Sequence, residues 1–138
     1  MHILIAEDDM LSRKLLKTNL IDMGHTVDAA ENGQEAWEMF NRSPYRVVVS
    51  DWLMPELSGL EFCERIRMRD ETEYTYFVLL TANVSEESSY YEAMDRGVDD
   101  FLSKPLDRNE LAIRLRVAER ILQDTSRIRS LENIITMC

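Results

Sequence analysis

The chain has 138 residues, enough for one domain and its core with little left for a second. A formal charge of −10 argues against a surface that clamps nucleic acid, because such binding rests on neutralising phosphates with Lys and Arg. A basic-then-apolar signal segment and a membrane-length apolar run are both missing, and Cys63 and Cys138 lack metal-like spacing, so the reading is a cytoplasmic protein with free thiols and no membrane partner.

Residues 2–6 open the chain as a strand with the apolar run ILIA. In the helix that follows, Leu16, Leu20 and Met23 step by four and three residues, and Gly24 is the stop signal. A second strand covers 26–29. Ala36 and Phe40 then carry the stripe of a second helix, which Ser43-Pro44 ends. The third strand, 46–50, contains VVV, and Cys63 and Ile66 mark the helix after it. The fourth, 76–81, contains FVLL, and Ala93 and Gly97 close the next helix before a fifth strand at 100–103. Continuously apolar strands are those covered on both faces. Alternation of this kind predicts a doubly wound α/β fold with a parallel sheet and right-handed crossovers.

From Leu106 onward there is no glycine or proline, so the last helix is expected to run nearly to the end. Val117, Ile121, Ile128, Leu131 and Ile135 fall on alternating three- and four-residue steps, with Asp124 the polar occupant of the seam. That is a coiled-coil period. The expected division is a domain over 1–123 and a helical extension over 124–138, whose seam serves a homodimer or an output domain.

Ligands of an open α/β sheet bind beyond the carboxyl ends of its strands. The first strand is followed by Glu7, Asp8 and Asp9, the third by Asp51, and the fifth by Lys104-Pro105, while the fourth ends in Thr81. Carboxylates gathered at one edge repel one another, and a divalent cation is the natural neutraliser. An all-oxygen set with room for water and phosphate suits Mg²⁺. Each residue has a plainer role when taken alone: Asp9 as a helix N-cap, Asp51 as a loop cap, Thr81 as a strand end, Lys104 as a surface charge. Their convergence is what argues for chemistry.

The order Asp8-Asp9, Asp51-Trp52-Leu53-Met54-Pro55 with Gly59, Thr81-Ala82 and Lys104-Pro105 resembles the receiver domain of bacterial two-component response regulators, over roughly residues 1–123. The resemblance implies a five-stranded flavodoxin-like sheet of order 2-1-3-4-5. It implies that Asp51 accepts a phosphoryl group from the phosphohistidine of a histidine kinase or phosphotransfer protein. Asp8, Asp9, Asp51 and the backbone carbonyl of Trp52 would hold Mg²⁺. Thr81 would hydrogen-bond the phosphoryl oxygens, Lys104 would pair with them, and Pro105 would follow a cis peptide.

A receiver of this kind is a signalling switch that catalyses its own phosphorylation and dephosphorylation. Its output face is expected around residues 85–97, Phe101 and the start of the last helix. Phe101 stands where the family often carries tyrosine, and its plainer reading is a half-buried aromatic. By the same resemblance, Leu53 and Asn83 would be the positions that tune the lifetime of the phosphoryl group. Leucine cannot orient an attacking water, whereas Asn83 could. The tail and the stretch 76–82 are similar to receivers that precede cyclic-di-nucleotide or phosphatase-type output domains; a stand-alone regulator and an unphosphorylated interaction module are the alternatives. A haloacid-dehalogenase phosphatase would need a second aspartate where Leu53 stands. No helix-turn-helix segment follows that would bind DNA directly.

Overall fold

The computed structural model of the chain describes residues 1–69, 73–82 and 87–137. Asn83, Ser85 and Cys138 lie outside the described residues, as does the side chain of Ile135. Strands and helices alternate as β1 (His2–Ala6), α1 (Met10–Asp22), β2 (Thr26–Ala30), α2 (Gly33–Arg42), β3 (Val47–Asp51), α3 (Gly59–Met68), β4 (Tyr76–Thr81), α4 (Glu87–Asp95), β5 (Asp100–Ser103) and α5 (Arg108–Met137). All pairings are parallel, in the order β2-β1-β3-β4-β5. The doubly wound α/β class, the strand order and the extended last helix are those expected above.

Strand alternation divides the apolar residues between two cores. Leu4, Ala6, Val48, Phe77 and Leu79 face α2, α3 and α4, where Phe40, Phe62 and Phe77 meet edge to face. Ile3, Ile5, Val47, Val49, Val78 and Leu80 face α1 and α5, against Leu16, Leu20, Leu111 and Leu115. Two covered faces explain why these strands read as unbroken apolar runs.

The helices begin where a side chain can satisfy their free N–H groups. Asp9 accepts from Ser12 N at 2.8 Å, Asn32 from Glu35 N at 2.7 Å and Ser58 from Glu61 N at 3.1 Å. Gly24, with φ of 93°, takes the left-handed conformation that stops α1. Two strand limits differ from expectation. β2 runs one residue further, to Ala30, and β3 lies one residue later than 46–50, taking in Asp51. The reason is pairing: Asp51 sits opposite Leu80, and Trp52 N donates to the Leu80 carbonyl at 3.0 Å.

On the α3 side one guanidinium ties three segments together. Arg67 donates to the Thr75 carbonyl (2.7 Å), to the Gly97 carbonyl (3.0 and 2.9 Å) and to Asp99 Oδ2 (2.8 Å). The same Asp99 oxygen accepts from Phe77 N at 2.8 Å, and Arg67 lies over the Tyr74 ring at 4.6 Å. Arg67→Met removes these donors and takes this counter-charge from the partly buried Asp99 carboxylate, so unfolding free energy should fall by about 2 kcal/mol. Urea denaturation checks this, and an unchanged midpoint would show that the clamp contributes nothing.

The two cores account for α5 only as far as Leu122, which is 6% exposed. Val117, Ile121, Ile128 and Leu131 of the seam are 36%, 39%, 58% and 59% exposed. No helix among the described residues is long and apolar enough to cross a membrane.

Candidate functional site

Register alone brings the chemical residues to one edge. Ala6 pairs with Ser50, so Glu7 lies beside Asp51; Asp51 pairs with Leu80, so Thr81 stands one step on; Thr81 pairs with Ser103, so Lys104 is next beyond. Strand order reverses between β1 and β3, and the crevice there is where an open sheet binds ligands. A cavity of about 390 Å³ occupies this edge, lined by Asp51, Trp52, Leu53, Thr81, Ala82, Ser89 and Lys104.

Asp51, 9% exposed, holds one oxygen on its neighbour and offers the other to the lysine. Trp52 N donates to Asp51 Oδ1 at 3.1 Å, and Lys104 Nζ donates to Asp51 Oδ2 at 2.9 Å and to Glu7 Oε2 at 2.8 Å. Burial disfavours the Lys104 ammonium, but its hydrogen bonds to Glu7 and Asp51 outweigh that and raise its pKa above the ordinary lysine value. Glu7 is buried, and burial pushes its carboxyl pKa up despite the bonds from Lys104 and from Asp9 N. Thr81 is buried at the end of β4, and its carbonyl accepts from Lys104 N at 2.9 Å. The Lys104–Pro105 peptide is cis.

Carboxylate oxygens of Glu7, Asp8 and Asp51 lie within 4.8 Å of one another. This set fits a hard divalent cation of the Mg²⁺ kind: all donors are oxygen, and the exposed Asp8 leaves positions open to water or phosphate. Asp9, named with Asp8 for the metal, is not among these three. Its carboxylate caps α1 through Ser12 N, which also lowers its pKa. Glu7 takes its place because it directly continues β1 beside Asp51, while Asp9 has already turned into the helix. The Trp52 carbonyl accepts from Gly59 N at 2.8 Å, so it is committed to the start of α3. The next carbonyl, that of Leu53, accepts no hydrogen bond among the described residues.

Phe101 is half-buried, its ring edge-on to Tyr90 of α4 at 4.7 Å. Leu53 is 78% exposed at the cavity rim. Two contributors escaped the sequence reading. Ser89 of α4 reaches the cavity wall, because a helix one crossover away folds over the sheet edge. Gly59 appeared only as part of a motif, yet a Cβ there would lie 2.1 Å from the Asp51 carbonyl oxygen.

A family model described as the response regulator receiver domain matches residues 3–116. Response regulator RppA of Synechocystis sp. is 34% identical over 122 residues, covering 87% of this chain and 51% of the relative. The chain thus spans about half the length of the curated relatives it matches. Among solved structures, the receiver domain of Francisella response regulator 1452 superposes with a TM-score of 0.78 at 30% identity, covering 86% of this chain and 96% of the other. The receiver domain of Ssk1 from Saccharomyces cerevisiae, crystallised with the histidine phosphotransfer protein Ypd1, has a TM-score of 0.73 at 26% identity, covering 81% and 83%.

Proposed function

This chain belongs to the response regulator receiver family, and on that premise we propose that Asp51 accepts a phosphoryl group from a phosphohistidine and that the change is relayed through α4, β5 and α5. The observation that carries this reading is the Lys104 ammonium bridging Asp51 and Glu7 at the mouth of the cavity. A carboxylate is a weak nucleophile, so the donor must be reactive and the site must compensate charge. Asp51 provides the attacking oxygen, held by Trp52 N so that the second oxygen faces the cavity. Lys104, kept charged by its two carboxylate partners, passes from Asp51 to the incoming phosphoryl oxygens while Glu7 keeps it in place. Thr81 presents its hydroxyl from the neighbouring strand.

Asp8 and Asp51 would hold Mg²⁺, with Glu7 beside them and the Leu53 carbonyl better suited than that of Trp52 to join them. Bound there, the ion neutralises charge that develops on the transferring group. Leu53 at the rim offers no group to orient an attacking water, which supports a slow loss of the phosphoryl group. Exposed Met10, Leu11 and Leu15 on α1 form an apolar patch beside the acidic turn. That patch supports docking of a histidine kinase or phosphotransfer protein, the kind of partner crystallised with the Ssk1 receiver. The setting for such a relay is the cytoplasm.

The test is incubation of the purified chain with Mg²⁺ and acetyl phosphate, followed by intact mass. A gain of one phosphoryl group per chain is expected, and an unchanged mass removes the reading.

For output, the exposed seam of α5 supports pairing with a second copy, which places two receivers side by side and passes the signal to an output domain or partner along the helix. Size-exclusion should show a dimer for the intact chain and a monomer for Ile128→Asp/Leu131→Asp. Identical monomers would dismiss the pairing.

A further inference from the structure

We propose that Arg13 positions the acidic turn between β1 and α1 for metal binding, an inference that rests on the phosphoacceptor reading above. Arg13 is an unexpected residue for its place. It lies in the first turn of α1, where a cation opposes the helix dipole and where the acidic group at hand is the Asp9 cap, already bonded to Ser12 N. Its side chain is nevertheless only 17% exposed, folded back over the end of β1.

The partners explain the burial. Arg13 Nη1 donates to the Glu7 carbonyl at 2.9 Å and reaches the Asp8 carbonyl at 3.4 Å. Glu31, on the loop after β2, stands 3.8 Å from it and is 68% exposed, so that pair contributes little. The guanidinium is therefore engaged chiefly with main chain, and with the main chain of the two residues whose carboxylates meet Asp51. The turn needs such a hold. Past Ala6 the β1 ladder ends, and the last tie to β2 is Glu7 N to the Ala30 carbonyl at 3.2 Å. Beyond it, Asp9 is drawn away as the cap of α1. Arg13 fastens the carbonyls in between, so that the carboxylates of Glu7 and Asp8 stay turned to the same side as Asp51.

A positive charge this close to the turn also repels a cation. The two effects of Arg13 thus have opposite signs for Mg²⁺, and substitution separates them. If positioning dominates, Arg13→Met weakens Mg²⁺ binding even though it removes a repelling charge. If charge dominates, the same variant binds more tightly.

Isothermal calorimetry of Mg²⁺ on the intact chain measures this directly. Arg13→Met should raise the dissociation constant about tenfold, as loss of an outer hydrogen-bond partner of a metal ligand does. Arg13→Lys keeps the charge and one donor, so it should recover part of the loss, to about threefold above the parent. At saturating Mg²⁺ both variants should be phosphorylated by acetyl phosphate within about twofold of the parent rate, because the acceptor and Lys104 are untouched. Arg13→Met binding Mg²⁺ as tightly as the parent, or more tightly, overturns the proposal. So does a rate that stays low at saturating Mg²⁺ with an unchanged dissociation constant. Should Arg13→Met lose its folded circular dichroism, Arg13→Lys decides alone by the same criteria. A parent chain that binds no Mg²⁺ fails at the earlier step, and takes the phosphoacceptor reading with it.

Discussion

Asp51→Asn should take up no phosphoryl group from acetyl phosphate under conditions in which the parent gains one per chain. A carboxamide oxygen carries no negative charge to attack phosphorus, while the substitution is nearly isosteric, so the loss is one of chemistry and not of fold. The surroundings support that separation. The amide oxygen can still accept from Trp52 N, and Lys104 keeps its bond to Glu7 at 2.8 Å. Removing one of the carboxylates in the cluster also relieves mutual repulsion, so thermal stability should be equal or slightly higher. Intact mass and a melting curve on the same sample check both halves. Equal labelling of the variant would mean that another residue is the acceptor and would refute the role given to Asp51.

The second large effect is expected at Gly59. A Cβ there would lie 2.1 Å from the Asp51 carbonyl oxygen, 2.9 Å from Leu79 Cδ1 and 3.0 Å from Ser50 Oγ. The first of these is backbone and has nowhere simple to go. Ser50 Oγ donates to that carbonyl at 2.9 Å, Asp51 is paired with β4, and Gly59 N is itself tied to the Trp52 carbonyl. Gly59→Ala must therefore move α3 outward or Asp51 out of register. Stability should fall by about 3 kcal/mol, lowering Tm by about 10 °C for a chain of this size. The surviving folded protein should be phosphorylated more slowly, because the displaced backbone is that of the proposed acceptor. Gly24→Ala is the control. It is strained by its positive φ but meets nothing within 4 Å, so it should cost about 1 kcal/mol and leave phosphorylation unchanged. A Gly59→Ala protein as stable and as active as the parent would show that the crossover has more slack than the contact distances allow.

These two positions differ in how far the sequence reveals them. Asp51 is legible because it closes, after Ser50, a strand that opens with the apolar run VVV, and a charged residue at the carboxyl end of a buried strand needs a reason. Thr81 and Lys104 are legible in the same way, since parallel strands of similar length end at one edge. Gly59 is legible only as a residue type. That its hydrogen faces the Asp51 carbonyl depends on how closely α3 crosses β3, which chain order does not specify.

Asp9 shows the opposite case. Three acidic residues in a row after a strand look equivalent, and spacing cannot say which of them turns toward Asp51. The structure resolves them by backbone direction: Glu7 continues the strand, Asp8 follows at the exposed rim, and Asp9 is taken by the free N–H groups of α1. The Trp52 carbonyl is a similar case, for its hydrogen bond to Gly59 N comes from a helix that starts seven residues later.

Hydrophobic period and length thus determined the elements, the parallel sheet and the edge at which the chemical residues gather, because those properties follow from which residues must leave water. Tertiary structure alone decided which carboxylates converge, which carbonyls stay open and why the Arg13 and Arg67 side chains are half-buried. Those outcomes depend on backbone direction and on contacts between segments distant in sequence, where a hydrogen bond forms or fails within a few tenths of an ångström.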